Sequence, residues 1–318
     1  MKLKDIYLKG IEAGIENDLR GKVAVFEELE RRKKEFNDLK PEDKEFFDIQ
    51  SLENPYSDSR ILFGNGDEEI KSILVGIDID VGEILLADNL RAKGINIDLL
   101  FSHHPSGRAF ATLYSVMYLQ SDILNIFGVP INTAEGLMDK RIKEVERKIM
   151  PANHSRAVDA ARLLGIPFIC MHTPADNMVA NFLQKLFEKQ KPVFVSDIID
   201  ILMSIPEYRS AKLNNSGPKI ILGDKKRKAG KIFVDMTGGT EGAKDIFQSL
   251  TNSGVSTIVG MHMSEEHLKE AEKSHLNVVI AGHISSDTLG LNLLLDRITG
   301  GENIFNIIEC SGFKRFSH

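Results

Sequence analysis

Leu99-Leu100-Phe101-Ser102-His103-His104-Pro105 is an apolar run that ends in two adjacent histidines and a proline. Neighbouring residues on a strand point to opposite faces, so two adjacent histidines serve neighbouring sites only where the chain leaves a sheet. Pro105 ends the ladder there, because it has no N–H to donate. In an open α/β sheet the crevice lies at the carboxyl ends of the parallel strands. Imidazole is the commonest metal ligand among side chains. A capping histidine beside an exposed one would give the same short pattern. Two later stretches weigh against that, His172-Thr173-Pro174-Ala175-Asp176 and Gly282-His283-Ile284-Ser285-Ser286-Asp287.

Outward from this stretch the chain reads as α/β. Ser72 to Ile79 is a β-branched run of the kind buried on both faces of a sheet. Val81 to Lys93 is amphipathic and stops at Gly94 as a C-cap, and Ile97 to Phe101 is the next strand. This is a β-α-β unit. Residues 108 to 165 are mainly helical, with Asn132 or Thr133 able to cap the helix after Pro130. Ile166 to Met171 is a strand that ends at His172, and Asn277 to Ala281 one that ends at Gly282-His283. A helix is expected over 192–212 and another from Thr240 to Leu250. Lys219 to Leu222 and Lys231 to Asp235 read as paired strands around the basic turn Lys225-Lys226-Arg227-Lys228, a solvated turn. Ile73 to His103 and Ile232 to His262 share one order of elements at an offset of about 160 residues, which fits a duplicated α/β unit.

Asp176 and Asp287 each follow a strand-end histidine by four residues. With the histidine at the strand end and the aspartate in the first helical turn, both face one crevice. Each aspartate taken alone also suits a helix N-terminus. Imidazoles and carboxylates together select zinc, iron or manganese, and no cysteine has the spacing of a thiolate site. A carboxylate can bridge two metals about 3.5–4 Å apart, and such a pair can activate one oxygen nucleophile. His172 and His262 are candidates for orienting a ligand or moving a proton. Asp78 and Asp80 close the first strand and either line the crevice or sit in its turn. Thr237-Gly238-Gly239-Thr240-Glu241-Gly242 reads as a tight turn, and it matches neither the dinucleotide fingerprint nor the phosphate loop with its lysine. His267, His275 and His318 are expected at the surface, and His154 is assigned no role.

The bulk properties set limits. A chain of 318 residues with net charge −6 has no general attraction to nucleic acid or anionic lipid. Two cysteines without CxxC spacing exclude a disulfide framework and suit a reducing compartment. The start is charged and lacks a signal-peptide core, and no apolar run approaches a membrane span. The expectation is a soluble, cytoplasmic protein. Residues 1–65, without a histidine, read as a helical N-terminal extension to the α/β domain of 66–318, whose halves divide near 212 and 213.

Three motifs in this order are together specific: His-His-Pro after an apolar strand, His-Thr-x-x-Asp after another, and a late Gly-His-x-x-Ser-Asp before the final long helix. They resemble the Nif-three-like dinuclear metal-centre proteins, also known as homologues of type-2 GTP cyclohydrolase I. The resemblance runs from about Ile73 to Arg297. It implies a layered αβα fold of two related halves around a metal crevice. It implies two divalent metal ions held by His103, His104, Asp176, His283 and Asp287, and a hexameric ring. Two departures stand out: Asp287 occupies a place where the family usually has glutamate, and the helices of about 111–155 lengthen the stretch before His172. The functional expectation is a divalent-metal-dependent hydrolase or cyclohydrolase for a small nucleotide-like or phosphoester substrate. The alternative is a non-catalytic, metal-stabilised ring that serves as a scaffold for protein or nucleic acid. An open coordination position separates the first from the closed site of the second.

Overall fold

A computed structural model describes residues 1–318. Nine strands build two sheets: β1 Arg60–Phe63, β2 Ser72–Gly76, β3 Leu99–Ser102, β4 Phe168–Cys170, β5 Lys219–Leu222, β6 Lys231–Asp235, β7 Val255–Gly260, β8 Asn277–Ile280 and β9 Asn306–Cys310. The first sheet has the order β1-β4-β3-β2-β9 and the second β5-β8-β7-β6. In each sheet the first strand of the half lies antiparallel at one edge, and the next three run parallel to one another. The two halves therefore repeat one topology, and the offset read from the sequence is structural. Strand β9 crosses back from the second half to pair in parallel with β2.

The strands are apolar on both sides because both sides are covered. Leu74, Leu100 and Phe168 meet Ile84, Ala87, Ala157 and Ala161 on the outer helices Val81–Ala92 and Arg156–Leu164. Their neighbours Ile73, Val75, Leu99, Phe101 and Ile169 point the other way, into a core with Leu3, Ile6, Leu291 and Ile298. In the second sheet Ile232, Val234, Val259 and Val279 pack on Val179, Leu183 and Ile198. Phe233, Ile258 and Val278 share the core with Phe247 and Ala271 beyond. Helices Leu3–Glu16, Thr173–Gln190 and His283–Thr299 thus lie between the sheets, and the molecule is a layered α/β stack. The N-terminal helix is docked against this middle layer: a Cβ on Gly14 would come within 2.8 Å of Pro174.

Several local expectations change. β5 and β6 are strands, but they do not pair with each other. β5 joins β8 and β6 joins β7, because the parallel order of the half leaves the edge beside β8 for β5. The 192–212 segment breaks into Val195–Met203 and Pro206–Leu213, since Pro206 cannot continue a helix but suits the first turn of a new one. Residues 240–242 are irregular, and a short 3₁₀ turn, Lys244–Ile246, precedes helix Phe247–Asn252. Helix Ile131–Ile149 starts on Pro130 with no side-chain cap from Asn132 or Thr133. No helix is long and apolar enough to cross a membrane.

Candidate metal centre

The carboxyl ends of β3, β4 and β8 converge, as parallel strands require. His103 and His104 follow β3, His172 precedes helix Thr173–Gln190, and His283 begins helix His283–Thr299. Asp176 and Asp287 stand one turn into those two helices, which pack on each other. His103 and Asp287 are each only 1% exposed.

Asp287 is central. Its Oδ1 lies 3.4 Å from His103 Nε2, and its Oδ2 lies 3.5 Å from both His104 Nε2 and His283 Nε2. Asp176 Oδ1 is 3.3 Å from His103 Nε2. Two ligand groups result, His103 with Asp176 and Asp287, and His104 with His283 and Asp287; the ligand atoms within each group lie within 4.8 Å of one another. They share Asp287, one oxygen facing each group. A third group joins His103, His104 and His172.

These residues fit a divalent cation on an observation independent of any resemblance. Both oxygens of Asp287 and Oδ1 of Asp176 are buried without a hydrogen-bond partner. A buried acceptor left unpaired is costly, and a cation satisfies it. Asp287 is not a helix cap, since no side-chain cap bond forms at that helix start.

The electrostatics of the bare cluster agree. Burial, reinforced by Asp176, holds the Asp287 carboxyl well above its usual range. Burial likewise pushes Asp176 up to about 6. Burial and the neighbouring imidazoles His104 and His262 push His283 down to about 4. His103 is driven well below the usual range by burial and by His172. Burial opposes charge on His172, but Asp176 and Asp58 outweigh it and push that imidazole up to about 9. Burial thus opposes charge on Asp176, Asp287, His103 and His283 in the bare cluster, and a cation among them would favour ionised carboxylates and neutral imidazoles.

No protein-family model and no curated protein sequence matches the chain. Among solved structures it is similar to the NIF3 superfamily protein from Sphaerobacter thermophilus, at 26% identity and a TM-score of 0.69, over 81% of this chain and 92% of that one.

The chain has a NIF3-like fold.

It is also similar to reduced HcgD from Methanocaldococcus jannaschii, at 16% identity and a TM-score of 0.47 over 79% of this chain and 87% of that one. A Bacillus cereus protein related to NIF3 matches at 11% identity and a TM-score of 0.40 over 80% and 91% of the two chains.

Beyond the five residues of the motifs, the cluster draws in others. Asp78 accepts from His104 Nδ1 at 2.7 Å, which leaves Nε2 facing Asp287. Asp80 instead caps helix Val81–Ala92 in a capping box with Glu83. Asp58 accepts from His172 Nδ1 at 2.8 Å; it comes from a loop that shows no chemistry in its sequence. Imidazole rings run side by side from His172 through His103, His104 and His283 to His262, with centroids 4.9 to 5.2 Å apart. His262 is exposed at the outer end of that row.

The cluster opens on a cleft of about 580 Å³. Helix Ile131–Ile149 forms one wall through Arg141, Val145, Lys148 and Ile149, so the extra helices cover the site. Thr237, Gly239, Thr240 and Glu241 form another wall. That glycine-rich turn is fastened by its carbonyls. Gln120 Nε2 donates to Gly238 O and Thr240 O, Arg141 Nε to Glu241 O, and His267 Nε2 lies 3.0 Å from Gly242 O. His267 is therefore 7% exposed rather than at the surface. His275 is exposed as expected, while the His318 side chain reaches in to Glu207 at 2.7 Å.

Proposed function

We propose that the protein is a divalent-metal-dependent hydrolase or cyclohydrolase with two metal positions, acting on a small nucleotide-like or phosphoester substrate. The observation that supports it most is Asp287, whose two oxygens face two separate ligand groups on the floor of an open cleft. Zinc, iron or manganese there would supply Lewis acidity toward a carbonyl or phosphoryl oxygen. His103, Asp176 and Asp287 Oδ1 would hold one ion, and His104, His283 and Asp287 Oδ2 the other.

The chain's own groups then divide the remaining work. His172 Nε2 lies 3.8 Å from Asp176 Oδ2 and is suited to take or return a proton beside the cluster. His262, exposed at the end of the imidazole row, is suited to exchange protons with the cleft. Arg141 and Lys148 on the covering helix supply positive charge to an anionic substrate.

A scaffold that catalyses nothing would need a closed metal site. The volume of the cleft favours the hydrolase. The proposal includes a homo-oligomer, a hexameric ring, in the cytoplasm, where Cys170 and Cys310 stay reduced. Nucleic acid and membrane are not among its partners.

The test is metal per chain by elemental analysis, followed by hydrolysis of nucleotides and phosphoesters with and without chelator. The expected result is two divalent ions per chain and a chelator-sensitive activity that returns on adding metal. Metal-loaded protein inactive across the whole panel would favour the scaffold. Light scattering reads the ring independently.

A further inference from the structure

The Asp58 side chain is fully buried, and no lysine or arginine forms an ion pair with it. Its Oδ2 accepts from His172 Nδ1 at 2.8 Å and from Thr173 Oγ1 at 2.7 Å, and its Oδ1 accepts from Ser59 Oγ at 3.2 Å. Ser59 Oγ in turn accepts the backbone N–H of His172 at 2.9 Å. The Asp58-Ser59 pair therefore grips His172 at two points, its backbone and one ring nitrogen. The loop that carries the pair is itself fixed. Tyr7 Oη and Asn54 Nδ2 both donate to Ser59 O, at 3.3 and 2.7 Å.

A carboxylate accepts and cannot donate, so the ring nitrogen facing Asp58 carries the hydrogen. The other nitrogen, Nε2, faces Asp176 and the cluster. The side chain is 8% exposed and its ring centroid lies 4.9 Å from that of His103, so it has little room to turn over. A carboxylate behind an imidazole is the usual device for fixing which ring nitrogen serves a metal site.

We infer that Asp58 is the positioning residue of the metal crevice: it fixes the proton of His172 on Nδ1, so that Nε2 is the ring atom presented to Asp176 and the cluster. Asp58 touches neither the cleft nor a metal position, and it acts only through His172. The consequence for activity rests on the hydrolase reading; the fixed ring does not. The opposing account makes Asp58 a fastener that ties the 54–59 loop to the start of helix Thr173–Gln190, with Thr173 an equal partner.

Zinc-loaded protein labelled with nitrogen-15 histidine separates the two without substrate. A long-range proton–nitrogen spectrum reads the His172 ring, assigned by its loss in His172→Gln. In the parent, Nδ1 should carry the proton. In Asp58→Ala that proton should no longer be fixed, and the Nδ1 signal should move toward the averaged position of an unrestrained ring. Thr173→Val removes the other donor to the same oxygen; it should melt earlier yet leave the ring spectrum as it was. If an activity has been found, Asp58→Ala should lose about 10–100-fold of it. A bare Nδ1 in the parent, or an Asp58→Ala ring identical to the parent's in a protein that merely melts earlier, overturns the inference. The parent spectrum decides even if Asp58→Ala fails to fold. Because no substrate enters the ring measurement, an inactive protein would refute the hydrolase reading and leave this one standing.

Discussion

Gly290 and Ala175 bring the helices that carry Asp176 and Asp287 into backbone contact. A Cβ placed on Gly290 would lie 2.5 Å from the Ala175 carbonyl oxygen and 3.0 Å from its carbonyl carbon. Ala175 is next to Asp176, and Gly290 lies within one turn of Asp287. The separation of the two carboxylates is therefore set by a glycine that has no side chain in the cluster. Glycine inside a helix costs up to about 1 kcal/mol relative to alanine, and here the close approach accounts for its presence.

Gly290→Ala should lower the thermal midpoint and reduce metal content although it improves helix propensity. Backbone cannot yield as a side-chain tip can, so a loss of about 1–3 kcal/mol is expected. Gly136→Ala is the control. It sits in helix Ile131–Ile149 with nothing within 4 Å of its would-be Cβ, and it should gain about 0.5–1 kcal/mol. Denaturant melts of the two variants should move in opposite directions; a stabilised Gly290→Ala would refute the contact.

Asp287→Ala should lose one metal, or both, while the fold survives. The side chain makes no hydrogen bond, so its loss removes no protein contact of that kind. It removes a buried carboxylate crowded by Asp176, so the metal-free variant should melt no earlier than metal-free parent. Asp287→Glu should keep both ions. Elemental analysis beside a thermal melt checks this, and full metal content in Asp287→Ala would remove Asp287 from the ligand set.

The Asp176 contribution to the stability of the metal-free protein should fall as pH rises through its titration. Burial raises this carboxyl from 3.8 to about 6, so the folded state holds the proton more tightly than the unfolded state does. The contribution is fully present below about 3.8 and disappears as pH rises past about 6. His283, pushed down from 6.5 to about 4, works in the opposite sense over much the same range, so the useful quantity is the difference between parent and Asp176→Asn. That difference should change between pH 4 and 7 with chelator present. Metal binding needs the deprotonated carboxylate, so metal affinity should instead fall with acid. Melts in which parent and variant run parallel over this range would contradict the assignment.

Lys148→Ala and Arg141→Ala should weaken anionic substrates without altering metal content. Lys148 has no ion-pair partner within the chain, whereas Arg141 is shared with Glu144 and the Glu241 carbonyl. Lys148→Ala should therefore act through charge alone and raise KM about tenfold for a phosphorylated substrate, with kcat little changed. Arg141→Ala should also loosen the 237–242 turn and lower the melting midpoint. An unchanged KM in both variants would remove the covering helix from substrate binding.

Much of the site was legible before the fold was known. His103-His104, His172 with Asp176 and His283 with Asp287 lie where a strand ends and a helix begins. That placement is local: a run of apolar residues, a break and a four-residue spacing are enough to mark it. The duplicated order of strands was legible for the same reason, since each half repeats its own short-range pattern.

What the sequence left open depended on contacts between distant segments. The basic turn after β5 suggested a hairpin with β6, but strand partners are chosen by which edge the parallel core leaves free, and β5 went to β8. β1 and β9 are short and carry no local mark; each is a strand because an edge was waiting for it. Asp58 lies 114 residues from His172 and Gly290 lies 115 from Ala175, separations across which no periodicity reaches. Local spacing by itself decided which residue types end the strands and hence which could hold a metal. Only tertiary packing, through the stacking of two helices in one buried layer, decided that Asp287 faces both ligand groups at once.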